Sequence, residues 1–223
     1  MADVALTEAE QRWLAPTAEV ERVELDATSW VDVVRGLILD ADAVHDELLR
    51  TARWEQGKVF RYERYVPEPR MIGVQAPNDR HPALAATQLW ITRRYRVQFP
   101  GVALVQYRDE RDSVGFHRDR EMRWLDDTII GVATFGAQRP WLMRPLGANR
   151  YAIDDDLADA IDLAPASGDL LVMGGRSQAD WLHAVPKVRG RVRSRISAQW
   201  RWTSRRGRRD TQPGFNAPRH FSR

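Results

Sequence analysis

Cysteine is absent from the 223 residues. Disulfides and thiolate metal sites are thereby excluded, and any ion must be held by nitrogen and oxygen. Long apolar runs are also missing: no stretch is long enough to cross a bilayer as a helix, and the segment from Met1 to Glu8 has neither the charged nor the apolar part of a secretory signal. A cytoplasmic protein without a membrane partner is the expectation. No internal repeat or linker divides the chain, so one domain with a sizeable core is expected, a monomer as the simplest state.

Histidine is scarce, with five in the chain. His45 falls in a predicted helix, His81 precedes Pro82 in a loop, and His220 lies in a basic tail. His117 and His183 have more informative neighbours. In extended backbone, residues i and i+2 share a face, so His117 and Asp119 can reach one ion while Arg118 points away. A histidine beside an aspartate is more often a surface hydrogen-bonded pair, and the pair alone is a weak site. His183 supplies a third donor that a sheet can bring alongside. Two histidines and one carboxylate form the facial triad that holds non-haem Fe(II) and leaves positions open, which suits a chain without thiolates.

Arg195 lies twelve residues after His183 and six before Arg201. Six residues of alternation put both guanidinium groups on one strand face. Two cations there can hold the carboxylates of a dicarboxylate by charge-assisted, often bidentate bonds. That fits 2-oxoglutarate, which chelates Fe(II) at one end and needs a cation at the other. The alternative is a general basic surface, since Arg189, Arg191 and Arg193 are close by.

The segments Tyr107 to Glu121, Gly168 to Gly175, His183 to Lys187 and Arg195 to Arg201 resemble the AlkB-type 2-oxoglutarate- and Fe(II)-dependent dioxygenases, especially bacterial members. The resemblance runs from about Trp54 to Thr203 and is densest after Gly101. It implies a double-stranded β-helix, or jelly roll, and the iron ligands His117, Asp119 and His183. It also implies 2-oxoglutarate contacts from Tyr107, Arg195 and Arg201, Arg195 at the distal carboxylate and Arg201 nearer the metal. Glu121 matches an acidic residue near the target base, and Arg70 follows Pro69 in the nucleotide-recognition lid. The implied reaction uses O2 to remove alkyl groups from nucleobases of DNA or RNA, releasing formaldehyde, succinate and CO2. The implied partner is alkylated nucleic acid, DNA more than RNA, single stranded or with the base flipped out.

The chain departs from the family pattern in three places. Val105 stands where an asparagine two residues before the tyrosine usually helps hold 2-oxoglutarate, removing a contact of about 1 kcal/mol unless another group supplies it. Gln199 and Trp200 replace the usual Thr-Phe before Arg201. Val74 and Gln75 stand where Tyr-Gly often occurs. Two further readings stay open: the same chemistry on a small molecule or protein, or a non-catalytic nucleic-acid-binding relative.

Net charge is only +3, but arginine crowds the last third, from Arg189 to Arg195 and from Arg201 to Arg209. Such a stripe suits a phosphate backbone, or else a solvated face and tail. Trp200 and Trp202 alternate within it, as core residues of a strand do more often than stacking platforms.

Periodicity predicts a strand from Ala18 to Leu25, a helix capped by Ser29 through Val31, Val34, Leu37 and Ile38, and a second helix from about Asp42 through Leu48 and Leu49 to Trp54. Pro67, Pro69 and Pro77 predict a loop-rich stretch, followed by a helix between Pro82 and Arg96. Strands are predicted at Ala103–Tyr107, Thr128–Phe135, Trp141–Pro145, Asp169–Met173 and Arg195–Thr203. Gly168 and Asp169 read as a tight turn, Gly174 and Gly175 as a sharp bend before His183, and Asp154 to Asp156 as an exposed insertion. Trp181 reads as packing. The fold class expected is α+β, mainly β, with N-terminal helices packed on one face of the jelly roll. Residues 1–100 form the strand, helix and lid region, 101–204 the dioxygenase core, and 205–223 a basic, flexible tail.

Overall fold

The run from Thr128 to Gly136 is mostly apolar and nearly all buried. A strand of that kind needs cover on both faces. The computed structural model, which describes residues 6–75, 80–147, 160–213 and 217–218, supplies it. In chain order the elements are α1 (Glu8–Gln11), β1 (Glu21–Glu24), β2 (Ser29–Val34), α2 (Ala41–Thr51), β3 (Arg53–Glu55), β4 (Lys58–Arg61), β5 (Arg64–Pro67), β6 (Met71–Val74) and α3 (Pro82–Tyr95), then β7 (Ala103–Tyr107), β8 (Val114–His117), β9 (Thr128–Gly136), β10 (Leu142–Pro145), β11 (Ile161–Asp162), β12 (Leu170–Gly175), α4 (Ser177–Asp180), β13 (Trp181–Val185) and β14 (Arg195–Thr203).

An eight-stranded sheet runs in the order β1-β2-β12-β9-β14-β7-β6-β3, and a four-stranded sheet in the order β11-β10-β13-β8. The ladders that build both are antiparallel. Val31, Val33, Tyr107, Ile130, Val132 and Met173 of the large sheet pack with Val114, Trp141, Met143 and Val185 of the small sheet's side. This interior between two sheets is the jelly roll. On the opposite face of the large sheet, Val44 and Leu48 of α2 and Leu84, Trp90 and Ile91 of α3 pack on Phe135, Val172, Ile196 and Trp200. The N-terminal helices therefore cover one face, as expected.

All six predicted strands are present, the one expected from Ala18 to Leu25 as the shorter β1, and α2 and α3 lie where helices were expected. The helix expected after Ser29 is instead β2, paired with β1 and β12. Val31 and Val33 enter the inter-sheet core while Val34 enters the helix-side core. The helical spacing of Val31, Val34, Leu37 and Ile38 was coincidental, and the β-branched valines fit a strand covered on both sides. The stretch expected to be loop-rich holds β6 and the end of the β4–β5 hairpin. Trp54 lies in β3 rather than at the end of α2. Asp154 to Asp156, Pro77 and His220 lie outside the described residues. Among the described residues no helix is long and apolar enough to cross a membrane.

Two glycines act where Gly174 and Gly175 were expected to bend the chain. Gly175 has φ +65° and its backbone lies against the Thr28 carbonyl. Gly174 makes room for Trp30, whose indole occupies the space a Cβ would need.

Candidate metal centre and cavity

β8 and β13 are neighbours in the small sheet, and their register sets His183 opposite His117. Alternation along β13 turns Trp181, His183 and Val185 to one side. Asp119 follows β8 at the start of a 3-10 turn, Arg120–Met122. The three side chains converge: one donor atom from each lies within 4.8 Å of the others. One ion can span that spacing.

The protonation states suit a metal. His117 Nδ1 lies 2.9 Å from the Gly115 carbonyl, which can only accept, so Nδ1 carries the proton and Nε2 the lone pair. Burial lowers both imidazole pKa values, that of His183 to about 3, so each ring is neutral at pH 7. Burial would raise Asp119, but the Arg201 guanidinium, by charge and hydrogen bond, outweighs it and holds the carboxyl well below the usual range. Trp141 stacks on His183 at 5.3 Å and fixes the ring plane.

The triad opens into a cavity of about 290 Å³ between the sheets, lined also by Arg70, Val105, Tyr107, Glu121, Ser197 and Arg201. Seven of the eight predicted site residues thus line one cavity. Arg195, the eighth, is fully buried beside Tyr107, its guanidinium carbon 5.9 Å from the ring centroid, and is not part of the wall. Its Nη2 donates to Thr134 Oγ1 at 3.2 Å, while Nε and Nη1 have no partner. Burial lowers its pKa to about 10, leaving it a cation at pH 7. A buried guanidinium with unmatched N–H groups fits a carboxylate that the protein does not itself supply.

Two wall residues escaped sequence reasoning. Ser197 and Gln199 lie between Arg195 and Arg201 on the same strand face, so the register that selected the arginines also selected them. Ser197 faces Val105 across the β14–β7 ladder, placing a hydroxyl beside the residue that lacks a donor. Gln199 Oε1 accepts from Arg201 Nη2. Trp200, on the other face, is buried in the core beneath the helices.

Beyond the cavity, Arg189, Arg191, Arg193, Arg205, Arg206, Arg208 and Arg209 are exposed. The segment after β14 is held against the turn that carries Glu121. Asp210 accepts twice from Arg120 at 2.7 Å, and its N–H donates to the Arg123 carbonyl at 2.6 Å.

Known proteins that resemble this chain are 2OG-Fe(II) oxygenases. The model of the 2OG-Fe(II) oxygenase superfamily matches residues 35–209. The chain is 29% identical over 175 residues to alpha-ketoglutarate-dependent dioxygenase alkB homolog 3 of Bos taurus, across 73% of this chain and 61% of that protein. It is 31% identical over 94 residues to DNA oxidative demethylase ALKBH2 of Mus musculus, across 42% and 38%. The chain therefore spans about three fifths of the length of the first of these relatives. Among solved structures, a Trichoplax adhaerens prolyl hydroxylase aligns with a TM-score of 0.52 at 10% identity over 77% of this chain and 83% of that one. A 2OG-Fe(II) oxygenase family oxidoreductase from Burkholderia pseudomallei aligns with a TM-score of 0.51 at 14% identity over 77% and 84%. At such identities these two speak for the fold.

Proposed function

We propose that this chain, which belongs to the 2OG-Fe(II) oxygenase superfamily, is an Fe(II)- and 2-oxoglutarate-dependent dioxygenase that removes alkyl groups from nucleobases. The observation that carries the reading is the single cavity in which the His117–Asp119–His183 triad, the Tyr107 and Arg201 pair, and Arg70 with Glu121 meet. The relatives named for alkB homolog and DNA oxidative demethylase activities support the substrate class.

When bound, Fe(II) with 2-oxoglutarate and O2 would supply the oxidant that hydroxylates an N-methyl carbon, after which formaldehyde leaves and the base is restored. His117 and His183 are already neutral and Asp119 already ionised, so the protein loses no proton in binding the ion. Arg201 orients Asp119 and Arg195 balances the distal carboxylate of the cosubstrate. Ser197 offers the hydroxyl that Val105 cannot. Tyr107, kept as a neutral phenol by burial, can donate a hydrogen bond to the cosubstrate. Glu121, exposed at the rim of the cavity, can accept from an exocyclic amine of the base, and Arg70 lines the same cavity. The apolar lining, with Ile130, Val132 and Met173, excludes water from the reacting carbon.

The exposed arginines favour a phosphate backbone, in DNA before RNA, with the base single stranded or flipped. A monomer in the cytoplasm belongs to the same reading. The test is formaldehyde and succinate release by the purified chain with Fe(II), 2-oxoglutarate, ascorbate and methylated single-stranded DNA. Formaldehyde from the wild type that disappears in His117→Ala and Asp119→Ala is the expected result. Succinate without DNA-dependent formaldehyde would move the chemistry to another substrate, and neither product would leave a binding module.

A further inference from the structure

Asp119 is a ligand candidate whose backbone the sheet does not hold. The β8–β13 pairing runs from Val185↔Val114 to His183↔His117. Two residues later Asp119 has φ −78° and ψ 64°, outside the extended range of a paired strand. Its peptide N–H, left without a ladder carbonyl, finds a side chain instead. Gln178 Oε1 accepts it at 2.9 Å.

Gln178 is fully buried. It sits in α4, the turn that leads directly into β13 and His183. Its Nε2 donates only to Met173 Sδ, at 3.6 Å, a weak acceptor. An amide buried this deeply is costly unless its hydrogen bonds are made, and here its strong one is made to a ligand's main chain. A second tie lies next to it: Arg118 Nη1 donates to the Ala179 carbonyl at 2.8 Å. Consecutive residues of the His117-Arg118-Asp119 motif are thus each bonded to consecutive residues of the α4 turn.

We propose that α4 is a clamp that presets the Asp119 backbone for metal binding, with Gln178 as its positioning residue and Arg118 as its outer tie. The inference rests on the triad being the metal centre. Arg201 holds the Asp119 side chain and Gln178 holds its main chain, so the carboxylate reaches the ion without a search over backbone conformations. Because α4 also begins the segment carrying His183, one turn couples the positions of two ligands. Groups that orient ligands without touching the ion typically change metal affinity by about 10–100-fold.

The test is a calorimetric titration of the full, metal-free chain with Co(II), together with the visible absorption of the Co(II) form. Gln178→Met keeps the size of the side chain and removes the strong acceptor. Co(II) affinity is expected to fall about tenfold or more, with displaced Co(II) absorption bands and an unchanged fold by circular dichroism. Wild-type affinity and an unaltered Co(II) spectrum in this variant would overturn the proposal. If Gln178→Met does not fold, Arg118→Leu decides: a several-fold loss of affinity supports the clamp, and no loss overturns it. No substrate enters the titration, so its result stands whether or not methylated DNA is turned over. A wild type that binds no Co(II) would overturn both the clamp and the metal centre.

Discussion

Arg201 donates from Nε to Asp119 Oδ2 at 2.7 Å, leaving Oδ1 as the oxygen nearer His117, 3.9 Å from Nε2. One carboxylate oxygen is thus committed to a cation and the other turned toward the imidazoles. An aspartate held this way offers a metal a single oxygen in a fixed direction.

Arg201→Met should therefore weaken the metal site. Loss of the guanidinium frees the carboxylate to rotate and leaves it buried without its counter-charge. The expected outcome is a fall in Co(II) affinity of about tenfold or more, read by calorimetry at pH 7. Retained affinity would show that Arg201 serves the cosubstrate alone.

Arg195 separates stability from function. Its guanidinium is fully buried, with Nε and Nη1 unpartnered, and no described carboxylate pairs with it. Replacing an uncompensated buried charge by an apolar side chain of similar length often stabilises a fold. Arg195→Met should melt at the same temperature as the metal-free wild type or higher, while the KM for 2-oxoglutarate rises at least about 100-fold, as loss of a buried charge-assisted contact of about 3 kcal/mol requires. A variant that melts well below the wild type would mean that the buried cation supports the fold.

Acid sensitivity should trace in part to His81. Its Nδ1 accepts from the Ala83 N–H at 3.1 Å as the N-cap of α3, which leaves the proton on Nε2, 3.4 Å from Glu47. Burial lowers its pKa below the ordinary value, and the nearby Glu47 opposes this without reversing it. A histidine lowered on folding binds more protons unfolded than folded. Its contribution is therefore fully present above about pH 6.5 and is lost as pH falls through that value toward the folded pKa. His81→Asn keeps a capping side chain without the titration. Urea unfolding from pH 7.5 to 5 should give a shallower loss of stability for the variant, and equal slopes would acquit His81.

How far the sequence revealed the site follows from which contacts are local. Arg195 and Arg201 were legible because they share one strand face, and the same alternation pointed equally to Ser197 and Gln199. The meeting of His117 with His183 is a register between strands far apart in the chain, which no local pattern encodes. The residues alone offered His183 only as a donor that a sheet can bring alongside, and the resemblance implied that it is a ligand. Gln178 gave no signal, because a buried glutamine looks like any polar residue until its partner is known. In the fold, β9 was legible from its mostly apolar, β-branched residues. β2 did not, because Val31, Val34, Leu37 and Ile38 happen to match helical spacing and only pairing with β1 and β12 decides between the two.

Gly174 offers a test of how β12 and β2 fit together. The two residues face each other in the ladder, Gly174↔Trp30, and a Cβ on Gly174 would lie 2.0 Å from the Trp30 ring. The ring cannot simply yield. Arg22 stacks over one side at 3.9 Å from the centroid, and the ring of Tyr95 stacks with it at 5.8 Å. Arg22 and Tyr95 are both tied in turn to the buried Asp32. Gly174→Ala must therefore displace the indole and loosen that group, an overpacking cost of about 1–3 kcal/mol. Trp30→Val removes the obstacle at the cost of its own packing. In the double variant the added methyl should cost little, so the two effects should fall short of additivity by at least about 1 kcal/mol. Equilibrium denaturation of the wild type, both single variants and the double variant measures the difference, and strict additivity would mean that the backbone, not Trp30, absorbs the methyl group.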